Sequence, residues 1–97
     1  MKNRTKSSKV PIEPLVATLC VINDSGEMNR FLDEILTPSE RSDLDLRWQL
    51  MDMLLQGVPQ RTIAETLGIS LCKITRGAKV LKADGSVCKK HLSLKKQ

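Results

Sequence analysis

The chain has 97 residues, a formal net charge of +5, one Trp, one Phe and no Tyr. That length suits one small domain with an aliphatic core, marginal in size unless a partner adds to it. No apolar run approaches the ~20 residues of a membrane span, and Cys20, Cys72 and Cys88 are too scattered for a metal site or a disulfide framework, so reduced thiols, no metal, no membrane and a cytoplasmic location are expected.

Residues 1–11 read as a flexible basic arm. Lys2, Arg4, Lys6 and Lys9 face no acid there, and the segment has no apolar periodicity. The apolar stretch that follows is short and lacks a cleavage site, so it is not read as a secretory signal. Residues 12–23, IEPLVATLCVIN, are apolar enough for a buried helix, with Pro14 tolerated in its first turn. DSGE, Asp24 to Glu27, reads as a break. Residues 27–36 then carry Met28, Phe31, Leu32 and Ile35 at helical spacing.

TPSE follows. Thr37 can cap, Pro38 suits the first helical position, and Glu40 can reach back to complete a capping box. The helix is expected to run from Pro38 to about Gln56 and to stop at Gly57, with Pro59 beyond. Its apolar residues form two faces. One holds Leu44, Trp48, Met51 and Leu55; the other holds Leu46, Leu50, Met53 and Leu54. Two faces imply burial on both sides, and in so short a chain a second subunit is a ready source of that cover.

Residues 60–82, QRTIAETLGISLCKITRGAKVLK, resolve into two short helices around a tight turn. Ile63 and Leu67 point inward from the first, and small Ala64 permits a close crossing. Gly68 supplies a left-handed turn residue, Ile69 fills the corner, and Ser70 can cap the second helix. Ile74, Ala78 and Leu81 continue the inward face at i, i+4, i+7. The pattern is that of a helix-turn-helix, although a chance αα-hairpin can share it.

In a DNA-binding helix-turn-helix the second helix lies in the major groove with its first residues at the base edges. The outward residues there are Leu71, Cys72, Lys73, Thr75, Arg76 and Lys79. They include few of the bidentate readers that give direct base recognition. Leu71 and Cys72 suit thymine methyls, and Thr75 suits a base or a water. Lys73, Lys79 and Lys82 suit phosphates, as do Gln60 and Arg61 at the start of the first helix. Charge fits this assignment. Residues 10–65 carry a net charge of −6, whereas residues 66–97 carry +7. An acidic body with basic ends suggests that the ends meet a polyanion, with a solvated tail as the alternative. Residues 84–97 read as a basic tail with room for a short helix.

These residues carry a resemblance. LTPSER from Leu36, then Arg47, LLQG ending at Gly57, LG at Leu67–Gly68, and ITRG at Ile74–Gly77 with LKA at Leu81–Ala83 resemble the tryptophan-dependent Trp repressor family over roughly residues 34–83. One residue fewer stands near positions 58–60. The resemblance implies an all-α, intertwined homodimer with a helix-turn-helix reading head (residues 60–82) in each helical domain (12–83). It implies a repressor that binds double-stranded operator DNA with L-tryptophan as corepressor, controlling tryptophan biosynthesis, salvage or transport genes. Water-mediated base contact is itself known of this family.

The family match also implies a ligand site. The indole ring lies between Arg47 and Arg76, and Arg76 meets the carboxylate. Gly77 admits the ring to the helix backbone. The ammonium meets carbonyls near Glu34 and Leu36, with Thr37 beside it. On this reading Gly77→Ala favours the helix but obstructs the ring. Gln60–Gly77 is also expected to touch the central helix sparingly, so that the ligand fixes a mobile head. The chain departs from the family pattern in four places. Val80 replaces a serine that helps hold the ammonium, Lys73 replaces a threonine, and Glu34 replaces a leucine. The segment after Ala83 lacks an acidic, tryptophan-bearing last helix.

Other readings stay open at this level. One is a ligand-independent helix-turn-helix module; another is a repressor that answers to a different indole. A third is a non-specific basic protein that coats nucleic acid, which the acidic middle disfavours. An enzyme is not expected: His91 lies in a basic tail, no thiol has a histidine near it, and no catalytic residues are assigned.

Overall fold

A computed structural model describes residues 10–94, so most of the expected basic arm, with Lys95 and Lys96, lies outside the described residues. The described residues form six α-helices and no strand. They divide into two compact units that meet in sequence between Thr37 and Pro38.

The first unit holds α1 (Glu13–Val21) and α2 (Ser25–Ile35). Pro14 sits within the first turn of α1, where a missing N–H costs nothing. The expected break at Asp24–Glu27 is shorter than the sequence suggested. The Asp24 carboxylate accepts a hydrogen bond of 2.8 Å from the Glu27 backbone N–H and so starts α2 at Ser25. Gly26 is therefore helical. The burial expected for residues 12–23 is also absent within one chain: neither α1 nor α2 has a buried residue. Val16 is 43% exposed and Val21 78%.

The second unit holds α3 (Pro38–Leu55), α4 (Gln60–Leu67), α5 (Leu71–Lys82) and α6 (Val87–Leu94). A two-bond cap ends α3. Val58 N–H donates to the Met53 carbonyl at 3.1 Å and Gly57 N–H to that of Leu54 at 3.0 Å, with Gly57 at φ +86°. Gly68, at φ +66°, makes the α4–α5 turn, and Ile69 N–H returns to the Ala64 carbonyl at 3.2 Å. Ser70 Oγ then accepts from Lys73 N–H at 3.4 Å to open α5. Ser86 opens α6 in the same way, accepting from Lys89 N–H at 3.1 Å.

The core of this unit is Leu50 and Met51 of α3, Ile63 of α4, Ile74 and Leu81 of α5, and Leu92 of α6. Helix α5 lies at its centre, against α3, α4 and α6. The inward positions read from the sequence behave as expected: Ile63 and Ile74 are fully buried, and Leu67, Ile69 and Ala78 are half-buried. The two apolar faces of α3 fare differently. Leu50 and Met51 are buried near its C-terminal end, whereas Leu44 (48%) and Trp48 (40%) stay exposed.

Candidate ligand cleft and nucleic-acid face

Helices α3, α5 and α6 enclose a cleft of about 230 Å³. Arg47 comes from α3 and Arg76 from α5, and the structure brings these two together on it. Leu50, Met51 and Val80 supply apolar wall, Gly77 supplies backbone, and Cys88 reaches in from α6. Lys73, expected at a phosphate, also borders the cleft. Three cationic residues therefore line one recess that has no acidic side chain in its lining. A flat apolar group with an anionic end is complementary to such a recess. Guanidinium planes stack on aromatic faces, and their N–H forks bind carboxylates.

Gly77 has a second role that alters the expectation for it. It is buried, and a Cβ built on it runs into Leu50 Cδ1 and stands 3.3 Å from Met51 Cγ. The missing side chain thus lets α5 lie directly on α3. An alanine there meets a packed core residue, since Leu50 is only 2% exposed, so the substitution does not simply favour the helix. The close approach also corrects the expectation of a sparing contact between Gln60–Gly77 and the central helix. Ile63, Ile74 and Gly77 all pack into the core that α3 anchors, because the apolar residues needed to close this small core come from all three helices.

Glu34, Leu36 and Thr37, the other expected ligand residues, lie in the first unit at the C-terminal end of α2. The Leu36 N–H donates to the Leu32 carbonyl there at 2.9 Å.

The residues expected to face nucleic acid are all exposed: Gln60, Arg61, Leu71, Cys72, Lys73, Thr75, Lys79 and Lys82. At 3.6 residues per turn, Cys72, Thr75, Lys79 and Lys82 share one face of α5, while Lys73, Arg76, Gly77 and Val80 share another. A second depression, of about 380 Å³, lies at the α5–α6 turn, where Lys82, Lys89 and Lys90 gather with Asp84. The three thiols are free. No group of metal-ligating side chains occurs among the described residues, and no helix among them is long and apolar enough to cross a membrane.

Sequence reasoning found the two arginines and the glycine through the family motif. It placed Val80 there too, in the position of a serine that helps hold the ammonium, but missed Lys73, though its i, i+3 spacing to Arg76 carries that signal. Nothing in the sequence pattern locates Cys88 there.

Comparison with known proteins identifies the family. The family model described as "Trp repressor protein" matches residues 12–95. A "Trp operon repressor homolog" of Actinobacillus succinogenes is 41% identical over 68 residues, covering 69% of this chain and 67% of that protein. One of Xylella fastidiosa strain M23 is 40% identical over 73 residues, covering 74% and 79%. Another, of Vibrio parahaemolyticus, is 36% identical over 72 residues, covering 73% and 70%. No solved structure matches the chain at a significant level. The family match extends beyond the motif region on both sides, taking in α1 and α6.

Proposed function

We propose that this chain, which belongs to the Trp repressor family, is a homodimeric repressor that binds operator DNA when L-tryptophan occupies the Arg47–Arg76 cleft. Its family is one of transcriptional repressors, not of enzymes. The observation that carries the reading is the meeting of Arg47 and Arg76, from different helices, on one cleft backed by the α5 backbone at Gly77. The indole stacks between the guanidiniums, and Arg76 holds the carboxylate. For the ammonium, the resemblance alone supports carbonyls near Glu34 and Leu36, with Thr37 beside them, a helix C-terminus being favourable to a cation.

Helices α4 and α5 act as a helix-turn-helix, a docking mode for which this family is itself a standard example. Leu71, Cys72 and Thr75 approach the base edges, while Gln60, Arg61, Lys79 and Lys82 meet phosphates. In the dimer the two heads must stand one DNA turn apart. A ligand wedged on the α3–α5 cleft sets the placement of α5 from its inner side, while DNA reads its outer side. By linkage, DNA must tighten ligand binding by the same factor that the ligand tightens DNA binding. The regulated genes then belong to tryptophan biosynthesis, salvage or transport.

Calorimetry with L-tryptophan and its analogues, followed by operator binding with whichever binds, tests this. One ligand per chain and ligand-dependent DNA binding are expected. Arg76→Ala is expected to lose about 1.5–3 kcal/mol of ligand affinity through the charge-assisted contact, with the dimer still folded. DNA affinity indifferent to any indole points instead to a ligand-independent module. Val80, which brings no hydroxyl to the cleft, favours a second reading in which another indole is the effector.

A further inference from the structure

We infer that Lys73 is a ligand residue, a second cation that with Arg76 grips the carboxylate of the bound indole, so that the cleft selects its ligand by negative charge. The inference rests on the ligand reading above and assigns a specificity-determining residue within it. Three observations carry it.

The first is helical geometry. Lys73 precedes Arg76 by three residues, Gly77 by four and Val80 by seven, so all four share the cleft face of α5. Cys72, Thr75 and Lys79, the outer-face residues, lie about a quarter-turn or more away from Lys73 at 3.6 residues per turn. The second is the cleft itself, whose lining includes Lys73 but neither Thr75 nor Lys79.

The third is the charge balance. Arg47, Lys73 and Arg76 face the recess, and no acid lines it. The three side chains are exposed, so water screens their mutual repulsion, and a carboxylate that enters in place of that water is attracted by all three. Val80, an apolar wall residue on the same stripe, adds nothing for an ammonium. The cleft therefore strongly recognises the acid end of its ligand. A lysine suits that role because its flexible stem carries a point charge with three donors.

The test is calorimetry on the full chain without DNA, so a lysine that serves only phosphates gives no signal. Three ligands separate the charges: L-tryptophan, its amide, which lacks the carboxylate charge, and indole-3-propionate, which lacks the amine. Lys73→Met keeps most of the stem and removes the charge. Because Lys73 is exposed, the fold tolerates the change. Lys73→Met is expected to weaken both acids by about tenfold, as for loss of a charge-assisted contact, and to leave the amide unchanged. Lys73→Arg is expected to restore acid binding. Equal loss for acid and amide, or no loss for either, overturns the inference while leaving tryptophan binding in place. Failure of every indole to bind the unmodified chain overturns both the inference and the ligand reading beneath it.

Discussion

Gly77 stands where α5 lies so close to α3 that a methyl group meets Leu50 and Met51. Two effects of Gly77→Ala oppose each other. Helix propensity favours alanine by about 1 kcal/mol. Overpacking a filled core costs about 1–3 kcal/mol. Leu50 is nearly fully buried, and turning aside takes it out of the core and into the cleft it walls, so the second effect wins. Urea titration of the ligand-free protein is expected to show a net loss of about 1 kcal/mol. A gain in stability shows that Leu50 yields freely and that Gly77 serves only the ligand. Lys79 is exposed on the outer face of α5. Lys79→Ala is expected to lower operator affinity and reduce the salt slope by about 1, with tryptophan binding unchanged, as measured across a salt series.

The elements owe their limits to local chemistry and their positions to a few anchors. Gly68 holds the α4–α5 turn at φ +66°, a conformation that costs other residues roughly 1–2 kcal/mol. Gly68→Ala is expected to lower stability by that amount, and to weaken DNA binding more than ligand binding because the turn sets the entry of α5. Differential melting and paired titrations with ligand and DNA check this. Leu92 anchors α6. It is fully buried in a helix whose exposed residues include Lys89 and Lys90. Leu92→Ala is expected to cost about 2–5 kcal/mol, as for other buried leucines. The loss is expected to reach the cleft, since Cys88 of the same helix lines it. Ligand affinity measured on the folded fraction is the readout.

At the scale of the molecule, the apolar surface left open by one chain is the main fact. Helices α1 and α2 bury no residue, and α3 leaves Leu44 and Trp48 exposed. Surface of this kind on a 97-residue chain calls for cover, which the homodimer proposed above provides. Trp48→Glu is expected to place a charge in that interface and yield a destabilised or monomeric chain. Sedimentation at micromolar concentration measures the outcome. A stable, folded monomer of the unmodified chain at that concentration removes the argument for the dimer.

Local signals in the sequence determined α3 to α5 closely. The Pro38 start, the Gly57 and Gly68 stops and the Ser70 cap each act within a few residues. The inward set of Ile63, Ile74 and Leu81 repeats at helical spacing and is buried as that spacing requires. The family motif marked Arg47, Arg76 and Gly77, which do meet on one cleft. The Asp24 cap was legible too, as an Asp with Glu three residues on, but Gly26 between them masked it. What only the tertiary structure decided is what depends on two distant segments at once. Leu50 and Met51 fill the space that Gly77 leaves, Leu92 closes the core from a tail that reads as charge, and Lys73 shares a cleft with an arginine 26 positions earlier in the chain. Periodicity tells which face of a helix turns inward; only packing tells which neighbour that face meets.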